Sequence, residues 1–199
     1  MSGWRKLEEP EYTHIWDYVY DGLGFHPSTA FSHWPGFREP TPSVTFKLSS
    51  PSVPEEEEEF YEVMWEALKS CSPPGKEIYS LDWHHECFTY DPHAFPPPPQ
   101  ELQFTRGLYP NGDYGITLSH DLNWGVLGHP WEFTICIFGQ PLLNVIEKNP
   151  PKLFRHIIRR DGWSTTLPRT EPQISSCTCS ATTRAHGHCT RAWASRRRT

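Results

Sequence analysis

The sequence predicts an α+β domain, a mainly antiparallel sheet with helices packed on one face, followed by a disordered C-terminal tail. Three observations lead there. Apolar residues recur at helical spacing over residues 10–22 and 54–71, but with a period of two beyond Lys76. The strand-like runs then follow one another through short turns instead of alternating with helices, which favours antiparallel pairing. Past Gly162 the texture changes to Ser, Thr, Arg, Cys and His, too poor in apolar residues to offset the entropy of ordering. The globular domain is therefore expected over residues 1–162 and the tail over 163–199.

Taken in order, residues 10–22 read as a first helix, with Ile15, Trp16, Val19, Tyr20 and Leu23 on one stripe and Gly22 and Gly24 as the stop. Residues 25–42 are rich in Pro and aromatics and read as an irregular packed loop. Val44, Phe46 and Leu48 alternate with polar residues, as in a strand. Pro54 followed by Glu55 to Glu59 opens the second helix, where the macrodipole favours carboxylates. Its apolar stripe is Phe60, Val63, Met64, Ala67, Leu68 and Cys71, and Pro73, Pro74 and Gly75 end it. Residues 78–83 and 87–90 read as strands, and 96–99 as a polyproline spacer. Residues 105–109 and 114–119 form a predicted hairpin around Asn111-Gly112. Further strands are expected at 125–128 and 132–138, and helical segments at 142–147 and 152–159, separated by Pro150-Pro151.

Only 36% of the 199 residues are hydrophobic, but nine Trp, eleven Phe and eight Tyr supply large buried areas. The net charge of −6 hides an asymmetry. Residues 1–162 carry −11 and residues 163–199 carry +5. The acidic body argues against nucleic-acid binding, which needs a basic footprint. No apolar run approaches the roughly 20 residues that span a bilayer. The first residues lack the apolar core of a signal peptide, so no membrane association and a cytoplasmic address are expected. Cys71, Cys87 and Cys136 sit singly in apolar elements, as reduced thiols do.

Two aromatic, histidine-bearing segments stand out: Leu81-Asp82-Trp83-His84-His85, and Gly128-His129-Pro130-Trp131-Glu132 running into Thr134-Ile135-Cys136-Ile137-Phe138-Gly139. With Tyr109-Pro110-Asn111-Gly112-Asp113-Tyr114 and Asp121, they make residues 10–162 resemble the bacterial domain of unknown function numbered 2716. His84 stands where that pattern has Gln, and the tail has no counterpart in it. The resemblance implies a small bacterial intracellular protein and brings no activity with it.

Asp82, His85, Asp113, Asp121, His129 and Glu132 are candidates for a polar cluster at one end of the sheet. Carboxylate–imidazole pairs perform acid–base work, which makes Asp82, His85, His129 and Glu132 the candidate catalytic residues. Trp83, Asp113, Asp121 and Trp131 are the candidate binding residues. The same polar groups also satisfy buried backbone among bulky aromatics, and His129-Pro130-Trp131 reads as a corner at a strand end. A zinc site needs three or four converging ligands. His84, His85 and Glu86, with Cys87 and His93, do not supply that convergence by spacing, so no metal is assigned. Cys177, Cys179, His186, His188 and Cys189 in the tail match no zinc-finger spacing. Gly-x-Ser-x-Gly, the phosphate-binding loop and Gly-x-Gly-x-x-Gly do not occur, so no cofactor is expected.

The leading functional expectation is a non-enzymatic protein-binding module, regulatory or immunity-like, with anchors among Trp34, Phe37, Trp124 and Trp131. The second is a small hydrolase or acid–base enzyme, which demands that Asp82, His85, His129 and Glu132 converge in one pocket. The oligomeric state is not coded in the sequence.

Overall fold

In the computed structural model, which describes residues 4–94, 108–110 and 112–165, nine strands pair into one sheet. The elements in chain order are β1 (Trp4–Lys6), α1 (Glu11–Asp17) continued by a π turn (Tyr18–Gly22), a 3-10 turn (Phe31–His33) and β2 (Ser43–Leu48). Next come α2 (Pro54–Cys71), β3 (Ile78–Asp82), β4 (Phe88–Tyr90), β5 (Gly115–Leu118), β6 (Gly125–His129) and β7 (Thr134–Phe138). The last are α3 (Gln140–Ile146), β8 (Phe154–Arg160) and β9 (Trp163–Ser164). The spatial order is β1-β4-β3-β5-β6-β7-β2-β8-β9, with every pairing antiparallel. The chain divides into Met1–Leu167 and Pro168–Thr199, and all described residues belong to the first unit.

α2 occupies the span that its local signals predict. Pro54 sits in its first turn with Glu55, Glu56 and Glu57, and Glu56 reaches back 2.6 Å to the Ser52 amide. Val53 at the N-cap has no side-chain oxygen to offer, and the Glu56 amide donates instead to the Val53 carbonyl at 3.1 Å. Phe60, Tyr61, Met64, Trp65, Ala67 and Leu68 are buried against the sheet together with Leu142, Leu143 and Ile146 of α3. From the strands this face receives Val44, Phe46, Leu48, Ile78, Val126, Ile135 and Ile137.

The opposite face is covered too, where the sequence predicted cover on one face. Ile15, Trp16, Val19, Leu23, Phe25 and Phe37 bury Tyr79, Leu81, Ile116, Leu118, Leu127, Cys136 and Phe138. The reason lies in β7. Ile135 and Ile137 point to the α2 side while Cys136 and Phe138 point to the α1 side, and all four are buried. A continuous apolar run, unlike strict alternation, marks a strand buried on both faces.

Two other expectations are corrected. Residues 152–159 read as helical, but Phe154–Arg160 is a strand paired to β2. Phe154, Ile157 and Ile158 are spaced like a helix stripe. The register shifts between Thr45/Phe46 and Lys47/Leu48 absorb that spacing as two bulges. The predicted hairpin over 105–119 also gives way. Residues 105–107 lie outside the described residues, Leu108 to Pro110 are not strand, and β5 has both edges taken by β3 and β6. Leu108 and Tyr109 instead pack on the α2 face, with Tyr109 against Phe60 and Phe133. The flat surface of Gly128 admits Pro110, whose Cβ would stand 3.2 Å from a Cβ placed there. The polyproline spacer lies outside the described residues, as does the expected disordered tail beyond Thr165; Trp163–Ser164, at its predicted start, pairs with β8.

Candidate functional site

Strand register brings the two histidine-bearing segments to the same end of the sheet. Asp82 closes β3 opposite Gly115, Gly115 faces Gly128, and His129 closes β6 opposite Thr134. The turn after β3, the chain entering β5 and the turn between β6 and β7 therefore meet. Asp121 does not join them. It lies beyond the other end of β5, exposed, accepting 2.7 Å from Asn123 Nδ2.

Asp82 is the hub of the first group. Its Oδ1 accepts the amides of His84 and His85, each at 3.1 Å, and faces His85 Nδ1 at 2.7 Å. Asp113 uses Oδ1 to accept the Tyr114 amide at 2.7 Å and turns Oδ2 toward the imidazoles, 2.5 Å from His84 Nδ1 and 4.0 Å from His85 Nδ1. Both imidazoles are exposed and both carboxylates largely buried. The hydrogen bond to Asp82, aided by its charge, raises the His85 pKa. Trp83, half-buried, lies with its ring centroid 3.8 Å from that of His84.

His129 forms the second group, on the α1 face and fully buried. The Glu132 amide donates to its Nδ1 at 2.9 Å, so the neutral ring carries its proton on Nε2, 3.1 Å from Tyr114 Oη. The Tyr114 hydroxyl also meets the amide and carbonyl of Ser28, both at 3.3 Å. Burial pushes the His129 pKa down to about 4. The ring thus closes the β6–β7 turn as a neutral hydrogen-bonding group.

Glu132 is committed elsewhere. Arg159 clamps it with Nη1 at 2.5 Å and Nη2 at 2.7 Å, while Arg159 Nε reaches Glu39 Oε1 at 2.6 Å. Burial works to raise the Glu132 pKa, but the bidentate guanidinium outweighs it and the net shift is downward. Glu39 and Arg159 were not among the residues singled out from the sequence. They come together from positions 120 apart, and Arg159 lay in a run read as helix.

The four candidate catalytic residues therefore stand as two pairs. Register places Asp82 on the α2 face, in line with Gly115, Gly128 and Ile135, and His129 on the other. Among the described residues no hydrogen bond or ion pair joins Asp82 or His85 to His129 or Glu132.

Around His129 the surface is aromatic. Trp34 packs on its ring at 5.1 Å, and Phe31 packs on Trp34 at 5.1 Å. Trp131 lies 5.3 Å from Tyr114 and 6.1 Å from His129. Phe31 is 80% exposed and Trp131 38%, while Trp34 is half-buried. Of the other expected anchors, Phe37 and Trp124 belong to the core. Phe31 carried no separate signal within the Pro- and aromatic-rich stretch.

Comparison with known proteins gives a family match over residues 6–143, to the family described as "Protein of unknown function (DUF2716)". The uncharacterized protein YxiI of Bacillus subtilis (strain 168) is 29% identical over 164 residues, which cover 78% of this chain and 99% of that protein. No solved structure matches.

Proposed function

The chain belongs to the DUF2716 family, whose description assigns no activity, and from that premise we propose that it is a non-enzymatic protein-binding module. The observation that carries this reading is the aromatic patch of Phe31, Trp34 and Trp131. Phe31 is largely in water although it sits on a well-packed scaffold. Exposed aromatics gathered on a rigid base are what interface anchors consist of. The patch rests on Tyr114 and His129, both buried and fully hydrogen-bonded, so little ordering entropy opposes binding. The acidic body favours a partner whose apolar contact is ringed by basic groups.

The acid–base reading needs Asp82, His85, His129 and Glu132 around one substrate. Their division between two faces, the neutral state of His129 and the pairing of Glu132 with Arg159 count against it. A cytoplasmic setting for the binding reading is supported by the free thiols Cys71, Cys87 and Cys136. No helix among the described residues is long and apolar enough to cross a membrane.

The test compares the full chain with a Phe31→Asp, Trp131→Ser variant. We expect both proteins to unfold cooperatively, the variant with its melting temperature lowered only by the lost packing of Trp131 on Tyr114, and a bacterial partner retained by the parent and lost by the folded variant. Identical capture by both proteins would sink the reading. Self-association of the parent, abolished in the variant, would make the partner a second copy of the chain.

A further inference from the structure

Independently of the aromatic patch, we propose that Asp82, His85 and Asp113 bind a divalent first-row transition-metal ion, with His84 supporting Asp113. One ligand atom from each of the three lies within 4.8 Å of the others. A bound ion keeps its ligands at about 2.0–2.2 Å, which sets ligand atoms roughly 3–4 Å apart. His85 Nδ1 is already 4.0 Å from Asp113 Oδ2 and 2.7 Å from Asp82 Oδ1. Metal binding would replace the His85–Asp82 hydrogen bond, and the His85 side chain, 68% exposed, is the group placed to turn away.

Turn geometry explains only part of the cluster. Asp82 would be placed as it is merely to accept the His84 and His85 amides. For Asp113 a backbone amide accounts for Oδ1 alone. The residue arrives from the start of another strand, satisfies Tyr114 N–H with Oδ1, and leaves Oδ2 facing the same imidazoles. Carboxylates held by backbone amides and a further imidazole are the outer support that metal-binding groups commonly have.

The donor set defines the ion. Imidazole nitrogen with two carboxylates suits zinc, cobalt or manganese, whereas calcium and magnesium take oxygen alone. Three protein ligands, one of them a 68%-exposed His85 side chain, leave coordination positions to solvent. Such a site is of the open type, able to take an anionic group or to acidify a water, instead of the closed four-ligand structural type.

The test is a Co²⁺ titration of the full, reduced chain followed by visible and near-ultraviolet absorption, with Zn²⁺ as competitor. The expected result is one equivalent of cobalt with ligand-field bands and no thiolate charge transfer. The band's absence matters because the tail carries Cys177, Cys179 and Cys189. A Cys177→Ser, Cys179→Ser, Cys189→Ser variant should keep the site. His85→Ala and Asp113→Asn should each weaken it at least about tenfold. His85→Ala removes an exposed side chain, so its melting curve should match the parent, which keeps the test decisive if Asp113→Asn unfolds. No binding, binding seen only with a thiolate band, or equal affinity in His85→Ala would overturn the proposal.

Discussion

Protonating His129 would set a second N–H against the Glu132 amide that Nδ1 now accepts, at a fully buried ring. The native pKa of about 4 lies below the usual 6.5. Between those values the unfolded chain binds the extra proton, so this contribution is complete above pH 6.5 and is lost as pH falls toward 4. Its size is roughly 3 kcal/mol. His129→Gln keeps an acceptor but does not titrate. We expect it to be about 1–2 kcal/mol less stable at pH 7, with the gap closing between about pH 6 and pH 5 and reversing below that. Urea denaturation at several pH values measures this; parallel stability curves would mean that His129 takes up its proton as readily in the fold as in the unfolded chain. Arg159→Met leaves Glu39 and Glu132 facing each other without their cation. It should cost about 3–5 kcal/mol, part of it recovered when Glu39→Gln and Glu132→Gln are added. At this scale the sequence exposes residue types, and a bend at His129-Pro130 was readable as a corner. The partners were not readable, because Glu39, Glu132 and Arg159 meet only through the β7–β2–β8 register.

Elements with signals of their own were the legible ones. α2 carries Pro at its start, a dipole-matched acidic turn and a Pro-Gly stop, and it runs over the predicted span. α1 and its π turn fill residues 11–22 for similar reasons. β8 was misread because its apolar spacing depends on bulges that only β2 reveals. The Asn-Gly pair suggested a hairpin, but β5 finds its partners in β3 and β6. Gly139 shows how tightly one junction is built. It opens α3 at φ 86°, and a Cβ there would stand 2.3 Å from Asn123 O and 2.5 Å from Trp124 Cβ. Both neighbours are backbone or fixed to it, so they cannot swing away. Gly139→Ala should destabilise the protein by about 3 kcal/mol or more, read from the urea midpoint. A shift under 1 kcal/mol would show that β6, β7 and α3 can separate at little cost.

At the scale of the molecule, the α+β class and antiparallel order follow from sequential short strands. The cover on the second face comes mainly from the stripe of α1 and its π turn, with Phe25 and Phe37 added from residues 25–42; the stripe was readable, but not the face of the sheet it takes. The sheet's borders bear on how any partner docks. β1 is three residues long and includes Arg5 and Lys6, and β9 is two residues long. Arg5 is held between Glu11 and Glu77, and Lys6 pairs with Glu86. Short, charged margins are poor templates for another backbone. A peptide adding a strand beside β1 would find a three-residue ladder to continue, whereas β8, seven residues long, is paired to β9 only at Arg159 and Arg160. For the binding module proposed above, the anchors would be side chains projecting from the turns at one end of the strands, and a helix or a loop is the shape of ligand such anchors suit.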